Sequence, residues 1–280
     1  AEAVNCMKIM IEGLGLIGGS MAKSLRRAGY SVDGADLPAV QEAAQKGGVI
    51  DAVAQSPRGY DVVFVALPPD AAMRFLDTAV FSDGAIVADI CGVKGAPERC
   101  VYAKPRNYRY VGCHPMAGKE VSGLANASET LFDGASMIVV DHPKTDAQAV
   151  SALEELFRKM GFGLIRHCTA AYHDAKIAYT SQLAHIVSNA YVKSPTADGF
   201  VGFTGGSFQD MTRIAGVDEA IWSRLYMLNR AAAARELETL IGHLQQYLAA
   251  FRAADGEALS ALLREGRLRK EHLDRERKIE

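Results

Sequence analysis

Six residues near the amino terminus, Gly13-Leu14-Gly15-Leu16-Ile17-Gly18, have the types and spacing that can hold a phosphate. They follow an apolar run, Ile9-Met10-Ile11, and lead into Met21-Ala22-Lys23-Ser24-Leu25, so the order reads strand, glycine turn, helix. In such a turn Gly13 permits the tight bend and Gly15 lets the backbone approach a diphosphate. Gly18 lets the helix pack on its strand, and the diphosphate rests on the helix N-terminus. A second β-rich run, Tyr30 to Ala35, ends in Asp36, about 20 residues beyond the first glycine, where a carboxylate accepts hydrogen bonds from an adenosine ribose. Gly13, Gly15, Leu16, Ile17, Gly18 and Asp36 are therefore the candidate cofactor-binding residues. The alternative is a glycine turn in some other α/β protein, with Asp36 capping the next helix. Leu37-Pro38-Ala39 offer no cation to neutralise a 2′-phosphate beside Asp36, so the expected cofactor is NAD rather than NADP.

A dinucleotide held there puts a small-molecule substrate at the carboxyl ends of the strands. Asp89 to Gly95 and His114-Pro115-Met116-Ala117-Gly118-Lys119-Glu120 each follow a buried run and reach that edge. Ser181-Gln182-Leu183-Ala184-His185 and Ser207 to Ala215 reach it from a helical part. On residue type alone, His114 reads as a histidine packed at a strand end before a turn-forming proline, and Glu120 as a surface carboxylate. Lys94 is either an exposed lysine or a cation presented to cofactor or substrate. Ser181 and His185 are spaced i,i+4 and project from one side of a helix, where His185 could equally be satisfied inside a bundle.

The elements that position these residues divide at about residue 168. Up to there, continuous β-rich runs alternate with helical segments: 61–66, 85–89, 110–113, 135–140 and 163–165. Runs without polar alternation belong to strands buried on both faces, hence to a mainly parallel sheet covered by helices. Beyond Cys168 the β-rich runs stop, and 169–193, 218–252 and about 256–275 read as helices. The expected fold class is α/β: an N-terminal Rossmann dinucleotide-binding domain, 7–168, followed by an all-α domain, 169–280. The long segment from Asp218 carries Trp222, Leu225, Leu228, Leu237, Leu240, Ile241, Leu244 and Leu248 at helical spacing, a face suited to a second copy of the chain, so a homodimer is expected.

At 280 residues, 49% hydrophobic and 23% charged, the chain can bury a substantial core. A net charge of −2 favours neither nucleic acid nor anionic lipid, and no apolar segment has bilayer-spanning length. Ala1 to Cys6 has neither the basic start nor the apolar core of a secretory signal. Five scattered cysteines, with no CxxC pair, suggest neither a disulfide framework nor a metal site. A cytoplasmic location is expected.

GLGLIGGS, HPMAGKE, TSQLAH and GGSFQDMTRIA, in that order, resemble the prephenate/arogenate dehydrogenase (TyrA) family of tyrosine biosynthesis from about residue 8 to about 235. The resemblance implies oxidative decarboxylation of prephenate or arogenate with NAD(P), and a Rossmann domain followed by a helical dimerisation domain. It also implies His114 as the catalytic base, drawing the ring hydroxyl proton while a hydride leaves the same carbon; an imidazole with its ordinary pKa near 6.5 suits that task. Ser181 and His185 would line the substrate pocket, and Glu120 would contact or gate it. Arg213, whose planar fork binds carboxylates bidentately, would hold a substrate carboxylate. Asp210, three residues earlier, either orients Arg213 or caps the helix.

One position departs from the family pattern: many members carry serine before the Val-Lys pair, where this chain has Gly92, so the partner of His114 is open. No segment after the helices has the βαββαβ pattern of an ACT domain, and no chorismate mutase precedes residue 7, so a single activity is expected. Two other readings stand beside this one. A β-hydroxyacid dehydrogenase would rely on a helix-borne lysine, for which Lys176 is available, and a non-catalytic NAD-dependent sensor would bind an aromatic acid in the same pocket.

Overall fold

The computed structural model describes residues 7–119 and 121–277; Cys6 and Glu120, both singled out above, lie outside them. Seven strands form one sheet: β1 (Ile9–Glu12), β2 (Val32–Ala35), β3 (Val62–Val65), β4 (Ile86–Asp89), β5 (Arg109–Met116), β6 (Ser136–Val140) and β7 (Leu164–Cys168). Their order is β2-β1-β3-β4-β5-β6-β7, parallel throughout except between β5 and β6. The continuous apolar runs follow from burial of both sheet faces. Ile9, Ile11 and Phe64 enter one core with Leu25 and Phe157, while Met10, Val63 and Val65 enter the other with Leu76 and Phe81.

Helices α1 (Leu16–Arg27), α2 (Pro38–Lys46), α3 (Pro69–Thr78), α4 (Gly95–Tyr102) and α5 (Ala147–Met160) connect the strands. After β7 come α6 (Ala170–Ile177), a π-helical stretch (Ala178–Leu183), α7 (Ala184–Tyr191), α8 (Gly206–Thr212), α9 (Glu219–Leu228), α10 (Arg230–Arg252) and α11 (Gly256–Arg277). By compactness the chain forms two units, one up to Arg230 and one from Ala231. Residues 169–230 are bonded to the sheet region: Asp174 accepts from the amides of Lys94 and Gly95 at 2.8 and 2.9 Å, and Arg224 grips Asp70 with two bonds of 2.6 Å.

Three local expectations change. The single helix read over 218–252 is two, because Asn229 turns out of helical geometry and spends its side-chain amide on the Asp174 carbonyl (2.8 Å) and Gln182 Oε1 (2.9 Å). The segment 169–193 is helical but opens into a π stretch at the residues expected to carry function, a common place for such a bulge. β5 does not end at Cys113. It runs to Met116 because β6 continues to pair with it there, antiparallel, after β4 has stopped at Gly112, and Pro115 is tolerated where only one neighbour pairs.

Candidate active site

The glycine turn leaves β1 with Gly13 at a φ of +93°, where a Cβ would also come within 2.5 Å of the Ala66 carbonyl oxygen. Gly18 packs so closely that a Cβ would overlap the carbonyl of Gly13. Gly15 differs, since nothing lies within 4 Å of the place a Cβ would take, so its backbone faces open space at the N-terminus of α1. No side chain caps that helix end and no acidic residue stands in its first turn. Its first N–H groups, with Leu16 and Ile17 among them, are thus left for an anion. A diphosphate fits that cradle.

Asp36 follows β2, and its carboxylate also braces the turn, accepting from the amides of Leu14 (2.5 Å) and Leu37 (2.6 Å). Glu12, at the end of β1, lies close enough for burial and the Asp36 charge to push its carboxyl up to about 7. Sequence reading passed over Glu12 because it is the last residue of an otherwise apolar strand. Two carboxyl groups at this end leave no welcome for a 2′-phosphate.

His114 stands on the part of β5 that extends past β4. Its Nδ1 is 2.8 Å from Nε2 of His173, and Nδ1 of His173 is 2.8 Å from the Asp174 carboxylate. The other ring edge faces the backbone of Gly92: a Cβ there would lie 3.7 Å from Nε2 of His114, with Leu225 at a similar distance. The expectation of an ordinary imidazole pKa gives way. Burial, then the neighbouring His173, then the Lys94 ammonium hold His114 well below 6.5, so the ring is neutral at physiological pH. Burial opposes ionisation of Asp174, but the bonds from His173 and from the amides of Lys94 and Gly95 outweigh it and keep its carboxyl below the usual range.

Lys94 is a correction. It is fully buried, its ammonium paired with the Asp89 carboxylate and donating to the Cys113 carbonyl at 2.6 Å, while Tyr110 donates to the other Asp89 oxygen at 2.6 Å. With no exposed surface it offers nothing for a substrate to touch, and its charge reaches the site only through space.

Ser181 and His185 line a cavity of about 420 Å³ together with Gly118, Lys119, Ile214 and Trp222. The loop following His114 thus forms one wall and the π stretch and α7 another. His185 is held through Nδ1 to the Ile214 carbonyl (2.9 Å) and packs its ring on Trp222, with centroids 4.0 Å apart. Arg213 is exposed at the end of α8, one residue before Ile214. Asp210 is exposed on the same helix, whose N-cap is Gly205, so the capping alternative for Asp210 is excluded. Lys176, the lysine of the β-hydroxyacid reading, is exposed with its ammonium over the Tyr172 ring at 5.3 Å. The residues that sequence reading missed are His173, Asp174 and Asn229, while Trp222, read on a face for a second copy, instead lines this cavity against His185. The one available signal was the adjacent His-Asp pair at the start of a helix.

A sheet edge with one end shaped for a dinucleotide and a neutral imidazole secured near the other is the arrangement of a dinucleotide-dependent dehydrogenase. Within that class, residues 21–166 match the nucleotide-binding domain of prephenate dehydrogenase and residues 169–265 match its dimerization domain; the chain belongs to the prephenate dehydrogenase family. The prephenate dehydrogenase of Bacillus subtilis is 33% identical over 245 residues, covering 81% of this chain and 66% of that protein, so the chain spans about two thirds of that relative's length. Among solved structures, a prephenate dehydrogenase from A. aeolicus in complex with hydroxyphenyl propionate and NAD+ superposes with a TM-score of 0.84 at 26% identity, over 97% of this chain and all of that one. Synechocystis arogenate dehydrogenase gives 0.79 at 26% identity, over 95% of this chain and 100% of its own.

Proposed function

We propose that this chain is an NAD-dependent dehydrogenase that oxidatively decarboxylates prephenate or arogenate, with His114 as the base, and so supplies the aromatic product that leads to tyrosine. The observation that carries the reading is the neutral imidazole of His114, tied at Nδ1 and turned with Nε2 toward Gly92, at the carboxyl edge of a sheet whose first turn is shaped for a diphosphate. NAD, held by Gly13, Gly15, Leu16, Ile17, Gly18 and the Asp36 carboxylate, supplies a hydride acceptor.

Nε2 of His114 takes the proton of the ring hydroxyl, and the O–H electron pair becomes the second bond of a carbonyl as the hydride leaves the same carbon. The bond to the ring carboxylate then breaks, carbon dioxide departs, and the freed pair enters the ring, which becomes aromatic. The former carbonyl oxygen takes back the proton from His114, leaving the base as it began. A base weaker than ordinary imidazole suits this return, because its conjugate acid gives up the proton readily. Ser181 and His185 form the substrate wall, and Arg213 grips a substrate carboxylate, with Asp210 three residues away to orient it. The family motif gives Glu120 a role in gating or contacting the pocket. The active form is a homodimer built through the helical region, where Leu244, Leu248 and Phe251 of α10 are exposed at 57%, 46% and 66%. No described helix is long and apolar enough to cross a membrane, and the proposed location is the cytoplasm.

Steady-state NADH formation with prephenate and with arogenate, comparing the native enzyme with His114→Asn, tests this. Native turnover on at least one substrate is expected, with kcat in the variant lower by roughly 10²–10⁴-fold and NAD affinity unchanged. A variant that turns over at the native rate would remove His114 from the chemistry.

A further inference from the structure

The side chain that holds His114 is not on the sheet at all; it comes from α6. Asp174 is a fixed anion, because Lys94 and Gly95 each donate a backbone N–H to it at 2.8 and 2.9 Å, at the N-terminus of α4. A carboxylate can only accept, so Nδ1 of His173, 2.8 Å away, must carry the proton of that bond. The neutral His173 ring then has a lone pair on Nε2, which faces Nδ1 of His114 at 2.8 Å. It follows that Nδ1 of His114 is the protonated nitrogen and Nε2 the free one. His173, the middle member of the chain, is only 2% exposed, so water does not reach its ring to compete for these bonds.

We infer that His173 and Asp174 are positioning residues for the base: the Asp174–His173–His114 chain fixes His114 in the tautomer whose Nε2 lone pair is free, and orients that lone pair toward the substrate hydroxyl. This deepens the function proposed above and rests on it. Gly92 adds independent weight, since it presents no side chain on the Nε2 side and orientation must come from the Nδ1 side. When Nε2 receives the substrate proton, the charge formed on His114 is stabilised by the acceptor already waiting at Nδ1, with the Asp174 carboxylate behind it. Only one proton moves, from substrate oxygen to Nε2; the protons on Nδ1 of both rings stay where they are. The arrangement places a histidine between acid and base where many hydrolases use a carboxylate directly. Asn229 secures the far end by donating to the Asp174 carbonyl at 2.8 Å.

The test is a set of variants in the full-length enzyme: His173→Leu, His173→Gln, Asp174→Asn, and each of His173→Leu and Asp174→Asn combined with His114→Asn. NAD affinity and thermal melting serve as checks on the fold. Asp174→Asn can donate to His173 and reverse its tautomer, which would turn a proton onto Nε2 of His114. A fall in kcat of roughly 10²–10⁴-fold is expected for this variant and for His173→Leu, with the KM for substrate changed less than about 3-fold. In His173→Gln the amide oxygen can still accept from Nδ1, and recovery to within about 10-fold of native kcat is expected. On the His114→Asn background neither change should lower the residual rate further, because its effect passes through a ring no longer present. Native kcat in a folded His173→Leu enzyme would overturn the inference, and so would losses that multiply with that of His114→Asn. If Asp174→Asn does not fold, the Leu and Gln variants at 173 decide alone. A fully active His114→Asn enzyme would instead sink the functional proposal itself.

Discussion

Two carboxyl groups, Glu12 at the end of β1 and Asp36 just after β2, stand together, and only the second is braced. Asp36 is bonded by two backbone amides, whereas Glu12, partly buried beside it, is pushed up to about 7. A carboxyl group raised from 4.5 contributes its full stability below pH 4.5, and that contribution is lost as pH rises through about 7. Glu12→Gln, which mimics the protonated acid, is therefore expected to stabilise the protein at pH 8 by about 1–2 kcal/mol after allowance for partial exposure, and to change nothing at pH 4. Denaturant titration at the two pH values checks this; equal effects at both would mean that Glu12 is ionised without cost. His114 shows the same physics in the opposite direction, burial favouring the neutral base that the chemistry requires.

Among the elements, the β1-turn-α1 unit separates packing from binding within six residues. Gly13 and Gly18 are required by the fold, one by its positive φ and the Ala66 carbonyl, the other by contact with the Gly13 carbonyl. Gly15 faces open space. Gly15→Ala is expected to melt within about 2 °C of the native enzyme, an ordinary surface change, while its Kd for NAD rises at least about 10-fold because a methyl enters the cradle. Gly18→Ala, in contrast, should lower Tm markedly. Calorimetry and NAD titration distinguish the two, and a Gly15→Ala enzyme with native NAD affinity would move the diphosphate elsewhere. The π stretch at Ala178–Leu183 and the break at Asn229 belong to the same scale. Gln182 leaves the π stretch to meet Asn229, and Asn229 reaches Asp174, so two irregularities in the helices secure the group behind the base.

At the scale of the whole molecule, the unit up to Arg230 contains the glycine turn, His114 and the cavity wall, while residues from Ala231 form a second unit of two helices, α10 and α11. Apolar side chains on α10 remain uncovered within the chain, among them Ile241 (44%), Leu244 (57%), Leu248 (46%) and Phe251 (66%). Leu244→Glu combined with Leu248→Glu is expected to convert the proposed dimer to monomer by sedimentation velocity, with the far-UV spectrum retained. A native protein that sediments as a monomer would refute the assembly.

Legibility followed the range of the physics involved. Strand runs and the glycine turn are written in neighbouring residues, so α/β organisation and a nucleotide-binding domain were readable without coordinates. The resemblance pointed to His114, Ser181, His185 and Arg213 because each lies within a short motif. Lys94 was misread because nothing local announces a buried partner: its counter-ion, Asp89, is five residues away, but the carbonyl of Cys113 and the closure over both come from another strand. His173 and Asp174 escaped notice for the same reason, being ordinary residues of a helix until α6 is laid against β5 and α4. The amino-acid order by itself determined which segments become strands and helices and where the glycine turn bends, since periodicity and glycine freedom act over a few residues. Which nitrogen of His114 is free, and that its ring stays neutral, was decided only when 59 residues of separation between His114 and His173 closed to 2.8 Å, because hydrogen bonding and desolvation depend on distance in space.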